Sequence, residues 1–218
     1  MHMQTTGIVL AAGNSSRLGR NKLSVTMPDG IALAAWTLKA ALSSTLDQII
    51  CVVKPGDHLE WLPAECLRTA TGRYTAASGL RIAVCNDHAG GMANSIRCGI
   101  WTAMEYRPEG VLMLMADQPL ITARHINGVL DALASHPDAD YAAAADDADA
   151  KPPVAFRSRM FGPLLSLQGD EGARKILRNS IYKGVKVPLS RESFWDADTQ
   201  PQLEQILTYA EGQLWREA

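Results

Sequence analysis

Residues Thr6–Leu23 read Thr-Gly-Ile-Val-Leu-Ala-Ala-Gly-Asn-Ser-Ser-Arg-Leu-Gly-Arg-Asn-Lys-Leu. The run Thr6–Ala11 is short, apolar and halted near Gly13, which predicts a strand buried on both faces. A polar Gly/Ser loop that carries Arg17 and Lys22 follows it directly. This loop has neither the Gly-x-Gly-x-x-Gly of dinucleotide folds nor the Gly-Lys-[Ser/Thr] of a P-loop. It still holds the ingredients of a phosphate cradle. Gly13 allows close backbone approach, Asn14, Ser15 and Ser16 supply donors, and Arg17 and Lys22 supply charge. Their place is the carboxyl end of a strand, where open α/β sheets take their ligands. The spacing alone also fits a Gly/Ser turn carrying two solvated cations.

Working outward, strand-like and helix-like segments alternate. Ile31–Ser43 has helical periodicity, Gln48–Val53 is a β-branched run, and a helix is expected around His58–Leu67 before a loop at Thr71–Ser78. Leu80–Cys85 reads as a strand, Gly91–Met104 as a helix, Val111–Ala116 as a fully buried strand and His125–Ser135 as a helix. Such alternation predicts βαβ units in one α/β domain with a mostly parallel sheet. The last third is less regular. The Ala/Asp-rich stretch Asp138–Ala150 is expected to be a solvated loop with one strand at Tyr141–Ala145, and the loop is expected to run on to Lys151-Pro152-Pro153. Val154–Phe156 follows as a strand. Short helices are expected at Met160–Leu167 and Glu171–Asn179, a strand at Val185–Leu189 and a helix at Gln200–Trp215.

Composition bounds the function. With 218 residues, 47% apolar and 20% charged, the chain can bury a core without staples and reads as a single domain. Lys+Arg 21 against Asp+Glu 23 argues against a nucleic-acid binder. The charge is unevenly spread: Arg17, Arg20, Lys22 and Lys39 face only Asp29 in residues 1–40, whereas residues 191–218 are acidic. Cys51, Cys66, Cys85 and Cys98 form no Cys-x-x-Cys pair and read as reduced thiols. The longest apolar run, Val111–Ala116, is far short of the ~20 residues of a membrane span. Nor do Met1–Gln4 lead into a signal-peptide pattern, so a cytoplasmic location is expected.

Five ordered segments carry a family resemblance. The first is Leu10–Lys22, similar to Leu-[Ala/Gly]-Gly-x-[Ser/Thr]-x-Arg-x-Gly-x-x-Lys of the nucleotidyltransferases. The others are Gly91-Met92-Ala93-Asn94-Ser95 with Gly99-Ile100, Leu114-Met115-Ala116-Asp117-Gln118-Pro119, Gly169-Asp170-Glu171-Gly172-Ala173-Arg174, and Asp196-Ala197-Asp198-Thr199. Together they resemble the molybdenum cofactor cytidylyltransferase-like family. The resemblance implies a three-layer α/β/α Rossmann-like nucleotidyltransferase fold, with an NTP-binding part at about 1–120 and an acceptor-binding part at about 121–218. It implies transfer of a nucleotidyl group from an NTP to an acceptor phosphate, with release of pyrophosphate.

The resemblance also assigns roles. Lys22, Arg17 and Asp117 would be catalytic. Leu10, Ala11, Ala12, Gly13, Asn14, Ser15 and Ser16, with Gly91 and Ser95, would hold the nucleotide. Asp170, Arg174 and Lys151 would face the acceptor. Asp117 and Asp198 would bind Mg2+, an ion that takes one or two carboxylates plus phosphate oxygens. Bland alternatives stand beside these roles. Asp170 could cap the Glu171–Asn179 helix, Ser95 could be a first-turn helix residue, and Asp196 and Asp198 could belong to a solvated turn. His88, although near Gly90-Gly91, carries little signal.

Ala12 points to CTP, since Leu-Ala-Ala-Gly accompanies CTP in the family and Leu-Ala-Gly-Gly accompanies GTP. The acceptor implied is a phosphorylated pterin, molybdopterin, with a molybdenum hydroxylase as a candidate partner. Lys151-Pro152-Pro153 departs from the family's Gly-x-Pro and puts the acceptor in question. Three readings remain open: this cytidylyltransferase, a nucleotidyltransferase for a sugar- or polyol-phosphate or using GTP, and a non-catalytic nucleotide-binding maturation factor.

Overall fold

The computed structural model describes residues 3–13, 21–63, 66, 79–147 and 149–217. The chain runs through β1 (Thr5–Leu10), α1 (Leu33–Leu42), β2 (Gln48–Val53), β3 (Leu80–Val84), α2 (Met92–Met104), β4 (Gly110–Met115) and α3 (Ala123–Ser135). It continues with β5 (Tyr141–Asp146), β6 (Asp149–Arg157), α4 (Phe161–Leu165), α5 (Arg174–Leu177), β7 (Gly184–Pro188) and α6 (Gln200–Glu217). One seven-stranded sheet has the order β3-β2-β1-β4-β6-β5-β7. β1 pairs in parallel with β2 and β4, and β5 in parallel with β7; only β6 runs antiparallel to its neighbours.

The strand period of two sorts side chains to two faces. Val9 and Ala11, with Cys51 and Leu112, pack against Leu38 of α1 and Ile126 and Val129 of α3. Ile8 and Leu10, with Ile50 and Met113, pack against Ile96 and Ile100 of α2 and Leu164 of α4. This is the expected three-layer α/β/α arrangement. Gly99 sets the closeness of α2, since a Cβ there would lie 2.5 Å from Cγ2 of Ile8. A third cluster fixes α6, whose Leu203, Ile206 and Ala210 pack on Val25, Met27 and Leu33. No helix among the described residues is long and apolar enough to cross a membrane.

Three expectations are corrected. His58–Pro63, the described start of the expected His58–Leu67 helix, forms turns, while Cys66, further along the expected helix, is helical. Asp57 accepts hydrogen bonds from the Leu59 amide (2.8 Å) and from Trp61 Nε1 (3.2 Å), and Leu59 has φ 57°. The side chain thereby competes with the helical ladder. The strand expected at Tyr141–Ala145 is β5, but the loop expected after it up to Pro153 is instead a tight turn, with Asp147 at φ 51°, leading into β6 as a hairpin. Tyr141–Ala145 is fully buried, because alanines let a strand lie between two layers without crowding. The register skips between Ala143 and Ala144, pairing Val154 with the first and Lys151 with the second. Pro152 and Pro153 sit in that irregularity, where a missing N–H interrupts no ladder. Finally, the helix expected over Glu171–Asn179 is confined to Arg174–Leu177. The expected loop Thr71–Ser78 lies outside the described residues.

Candidate active site

β1 and β4 are neighbours at the middle of the sheet and end at the same rim. Beyond β1 the backbone stays tied, with the Ala11 amide donating to the Val52 carbonyl (2.8 Å); beyond β4, the Ala116 amide donates to the Leu10 carbonyl (3.1 Å). Asp117 therefore emerges next to the Ala11–Gly13 segment. Its loop is anchored behind by Thr37 Oγ1, which donates to the Gln118 carbonyl (3.1 Å) from a buried position. The Ala197 amide donates to the Asp117 carbonyl (3.4 Å), bringing the Asp196–Asp198 segment alongside. Lys22 opens a 3-10 turn, Lys22–Ser24, whose first amides are capped by Asn21 Oδ1 accepting from Leu23 (3.2 Å).

These pieces meet on one atom. Lys22 Nζ donates to Asp117 Oδ2 at 2.6 Å and to Asp198 Oδ1 at 2.5 Å. Lys22 is buried and Asp198 is more open to solvent. Burial alone would lower the lysine pKa. The charge and hydrogen bond of Asp117, followed by those of Asp198, outweigh burial and hold the ammonium above its ordinary value. Asp196 lies in the same field. Burial first, then the charges of Asp198 and Asp117, push its carboxyl above the usual range, and Gln202 Nε2 donates to its Oδ1 at 3.2 Å.

Two cavities converge here. The smaller, of about 280 Å³, is lined by Ala11, Ala12, Gly13, His88, Gly91 and Ser95 among others. The larger cleft, of about 1030 Å³, runs past Gln118, Lys151, Arg174, Arg178, Asp196 and Asp198. Leu10, Gly13, Lys22, Asp117 and Asp170 border both. The Lys22–Asp117 pair thus stands where the two spaces join, which is what a two-substrate transfer requires of its charged groups.

Gly91 and Gly169 lock two distant motifs together. Gly91 has φ +96°, and a Cβ on it would lie 2.3 Å from the carbonyl carbon and oxygen of Gly169. The Ala93 amide, in the first turn of α2, donates to that same carbonyl at 3.0 Å. Glycine at position 91 is thus required by its backbone, while its lining of the smaller cavity is incidental to having no side chain. The contact presents Asp170 at the seam between the cavities. Asp170 does not cap a helix as the sequence allowed: α5 begins at Arg174 after Ala173, with no side-chain cap.

Of the residues singled out from sequence, Leu10, Ala11, Ala12, Gly13, Lys22, Gly91, Ser95, Asp117 and Asp170 line the smaller cavity. Lys151, Arg174 and Asp198 line the larger. Ser95 does lie near the start of α2, and it is also buried against the cavity. Lys151 reaches the cleft from a strand rather than from the loop expected. Asn14, Ser15, Ser16 and Arg17 lie outside the described residues. Two further residues escaped the sequence reading. His88 lines the smaller cavity, and its Nδ1 is buried with no hydrogen-bond partner among the described residues. Gln118 is buried beside the cleft with Oε1 similarly unpartnered. The one signal for His88 was its closeness to Gly91; Gln118 was visible only as the companion of Asp117.

Residues 7–186 match the MobA-like NTP transferase domain family. The chain is 31% identical over 204 residues to the purine catabolism protein PucB of Bacillus subtilis (strain 168), covering 92% of this chain and 94% of that protein. A shorter stretch of 66 residues is 36% identical to a probable molybdenum cofactor guanylyltransferase of Mycobacterium avium (strain 104), covering 30% of this chain and 34% of that one. The structure superposes with TM-score 0.76 on a Mycobacterium sp. strain JC1 homologue of Mycobacterium tuberculosis Rv0371c, at 25% identity, over 96% of this chain and 98% of the other. Family, fold and the convergence of Lys22 and Asp117 between two cavities agree: the chain belongs to the MobA-like NTP transferase family and is a nucleotidyltransferase.

Proposed function

We propose that the protein transfers CMP from CTP to the phosphate of a molybdopterin-type acceptor and releases pyrophosphate. The reading is carried by one observation, the Lys22 ammonium held by Asp117 and Asp198 at the junction of a small cavity and a large one. The chain acts as one nucleotidyltransferase domain. Residues up to about 120 take the nucleotide, and those from about 121 onward take the acceptor. The nucleotide occupies the smaller cavity, with its base toward Ala12, Gly91 and Ser95 and its phosphates toward Lys22 and Arg17. Buried Ala12 leaves less room than glycine would, which favours the smaller pyrimidine.

An acceptor oxygen attacks the α-phosphorus while the bond between the α-phosphorus and the bridging oxygen breaks, so pyrophosphate carries away the electron pair. A phosphate monoester is already an oxyanion at neutral pH, so no general base is needed. What the site must supply is alignment and positive charge. Lys22 does the second: it is charged throughout the working pH range and sits where the developing charge on pyrophosphate would fall. Asp117 holds it in place until phosphate oxygens arrive.

Asp117 and Asp198 also suit a hard divalent cation. They offer carboxylate oxygens from two converging segments, and Mg2+ commonly takes no more than that from protein when phosphates complete its shell. When bound, the ion would supply Lewis-acid neutralisation of the phosphate charge. The test is pyrophosphate release from CTP, GTP, ATP and UTP, each with and without molybdopterin and Mg2+. Release that needs CTP, molybdopterin and Mg2+ together supports the reading. Release with GTP alone, or only with a sugar phosphate, replaces the nucleotide or the acceptor, and no release under any condition removes the enzyme.

A further inference from the structure

Beside the large cleft lies a cavity of about 240 Å³ that none of Lys22, Asp117 and Asp198 borders. Among the described residues its polar lining is four cations, Lys151, Arg174, Arg178 and Lys186, and one carboxylate, Asp149. Lys151, Arg174 and Arg178 also line the large cleft, so the two spaces are continuous. From this we propose that the cavity is a second oxyanion site, and that the acceptor carries an anionic group remote from the phosphate that attacks. The proposal rests on the reading of the cleft as the acceptor's place.

Three observations carry it. Arg174 opens α5 and Arg178, four residues on, caps its end, a spacing that puts like charges on one face and works against the helix. Several cations near and far are paired: Lys175 with Glu171 at 2.7 Å, Arg159 with Asp140 at 2.7 Å, Arg81 with Glu105 at 2.5 Å. Neither Arg174 nor Arg178 has a carboxylate partner among the described residues, although Lys175 between them does.

Second, Lys151 is fixed rather than free-swinging. Its ammonium donates to Asp146 Oδ2 at 3.1 Å and sits 5.1 Å from the centre of the Phe194 ring. Its charge is thereby held at the mouth, with part of it already offset by Asp146. The guanidinium groups supply the uncompensated charge, and a planar fork of donors matches an oxyanion better than a point charge does.

Third, the cations converge from elements that the topology sets apart. Lys151 comes from β6, Lys186 from β7 on the far side of β5, and the arginines from α5 above them. Ala150 and Leu177 complete its lining. The acceptor phosphate must meet the α-phosphorus where the large cleft joins the nucleotide cavity for transfer to occur. An anion in this cavity is therefore a different group of the same acceptor, such as a metal-oxo or second acidic end.

The test titrates inorganic molybdate and inorganic phosphate into the full chain, wild type and the double variant R178S/K186S, at low ionic strength by calorimetry. A control, Lys183→Ser, removes an exposed charge that does not line the cavity. CTP affinity is measured on all three proteins. The expected result is oxyanion binding that weakens at least tenfold in the double variant and less than twofold in the control, with CTP affinity unchanged throughout. Equal weakening in both variants, or no binding component sensitive to Arg178 and Lys186, overturns the site. A chain that binds the oxyanion as described but not CTP keeps the site and removes the cytidylyl reading instead.

Discussion

Lys22 and Asp117 are 95 residues apart in sequence, yet their Nζ and Oδ2 atoms are 2.6 Å apart. The lysine gains a second carboxylate, Asp198, from 176 residues away. Nearly the whole length of the fold is thus tied at one ammonium. Replacing Lys22 with Ala should lower turnover by at least 100-fold, through loss of charge at the departing pyrophosphate. It should also cost about 2–3 kcal/mol of stability, because two carboxylates lose their shared counter-ion while Asp198 keeps some solvent. Lys22→Arg should recover part of the stability and little of the turnover. Steady-state kinetics beside denaturant unfolding measures both; turnover within threefold of wild type in Lys22→Ala would remove the assigned role.

Gly91→Ala should be severe for its size. The new methyl must displace the Gly169 carbonyl and tolerate φ +96°, so a loss of about 2–4 kcal/mol is expected. Movement of the Gly169–Asp170 backbone should weaken binding on both sides of the seam. The measurement is thermal unfolding together with CTP affinity. Gly169→Ala meets no neighbouring atom but has φ +57°, so it should cost less than Gly91→Ala.

Asp196 supplies a pH prediction. Its carboxyl is held above the ordinary range, so the folded protein binds its proton more tightly than the unfolded chain does. That contribution favours folding at acid pH and fades as pH rises from the unfolded pKa through the folded one. At neutral pH the charged carboxylate is a net burden beside Asp117 and Asp198. Asp196→Asn should therefore raise Tm at pH 7–8 by roughly 1–3 °C, an increment below about 1 kcal/mol for a chain of this length. The gain should vanish toward pH 4. A Tm difference independent of pH would count against the assignment.

Ala12→Gly opens the wall of the smaller cavity by one methyl group. The ratio of kcat/KM for CTP over GTP should fall by roughly tenfold or more, the size of effect one methyl group commands in a close-fitting pocket. Pyrophosphate release with each nucleotide reads it directly, and an unchanged ratio would detach Ala12 from base selection.

Arg157 offers a prediction about the scaffold. Its Nη2 donates to the Leu133 carbonyl at 2.7 Å and the His136 carbonyl at 3.2 Å, and its Nε to the Ala139 carbonyl at 3.0 Å. A cation on the last carbonyls of α3 complements the helix dipole. Arg157→Ala should cost about 1–3 kcal/mol while leaving CTP affinity within twofold, as unfolding and calorimetry would show.

The first half of the chain was legible because its strands are written as continuous apolar runs. Gln48–Val53 was read to the residue, and Val111–Ala116 was displaced by one position from β4. Lys22, Gly91, Asp117 and Asp198 carried motif signals, and they do gather on one rim. The second half was harder. Two adjacent prolines argued for a loop at Lys151–Pro153, and only a skip in strand register, which no residue type announces, admits them to β6. The contact between Gly91 and Gly169 was equally silent, since neither partner has a side chain to betray it. His88 was set aside for want of a companion, and its relevance depends on which wall it joins.

The single reversed strand has a consequence for how such an enzyme can change. Because β6 runs against its neighbours, its beginning, not its end, reaches the rim where β1 and β4 finish. Ala150 and Lys151 therefore enter the cleft soon after a hairpin turn at Asp147, a point where the chain can lengthen or shorten without disturbing the core. Nothing in β1, β2 or α2, which wall the smaller cavity's side of the sheet, need move when that hairpin does. One half of the reaction can thus be retained through descent while the other is rewritten, and a common donor chemistry can be redirected to new recipients by editing a single turn.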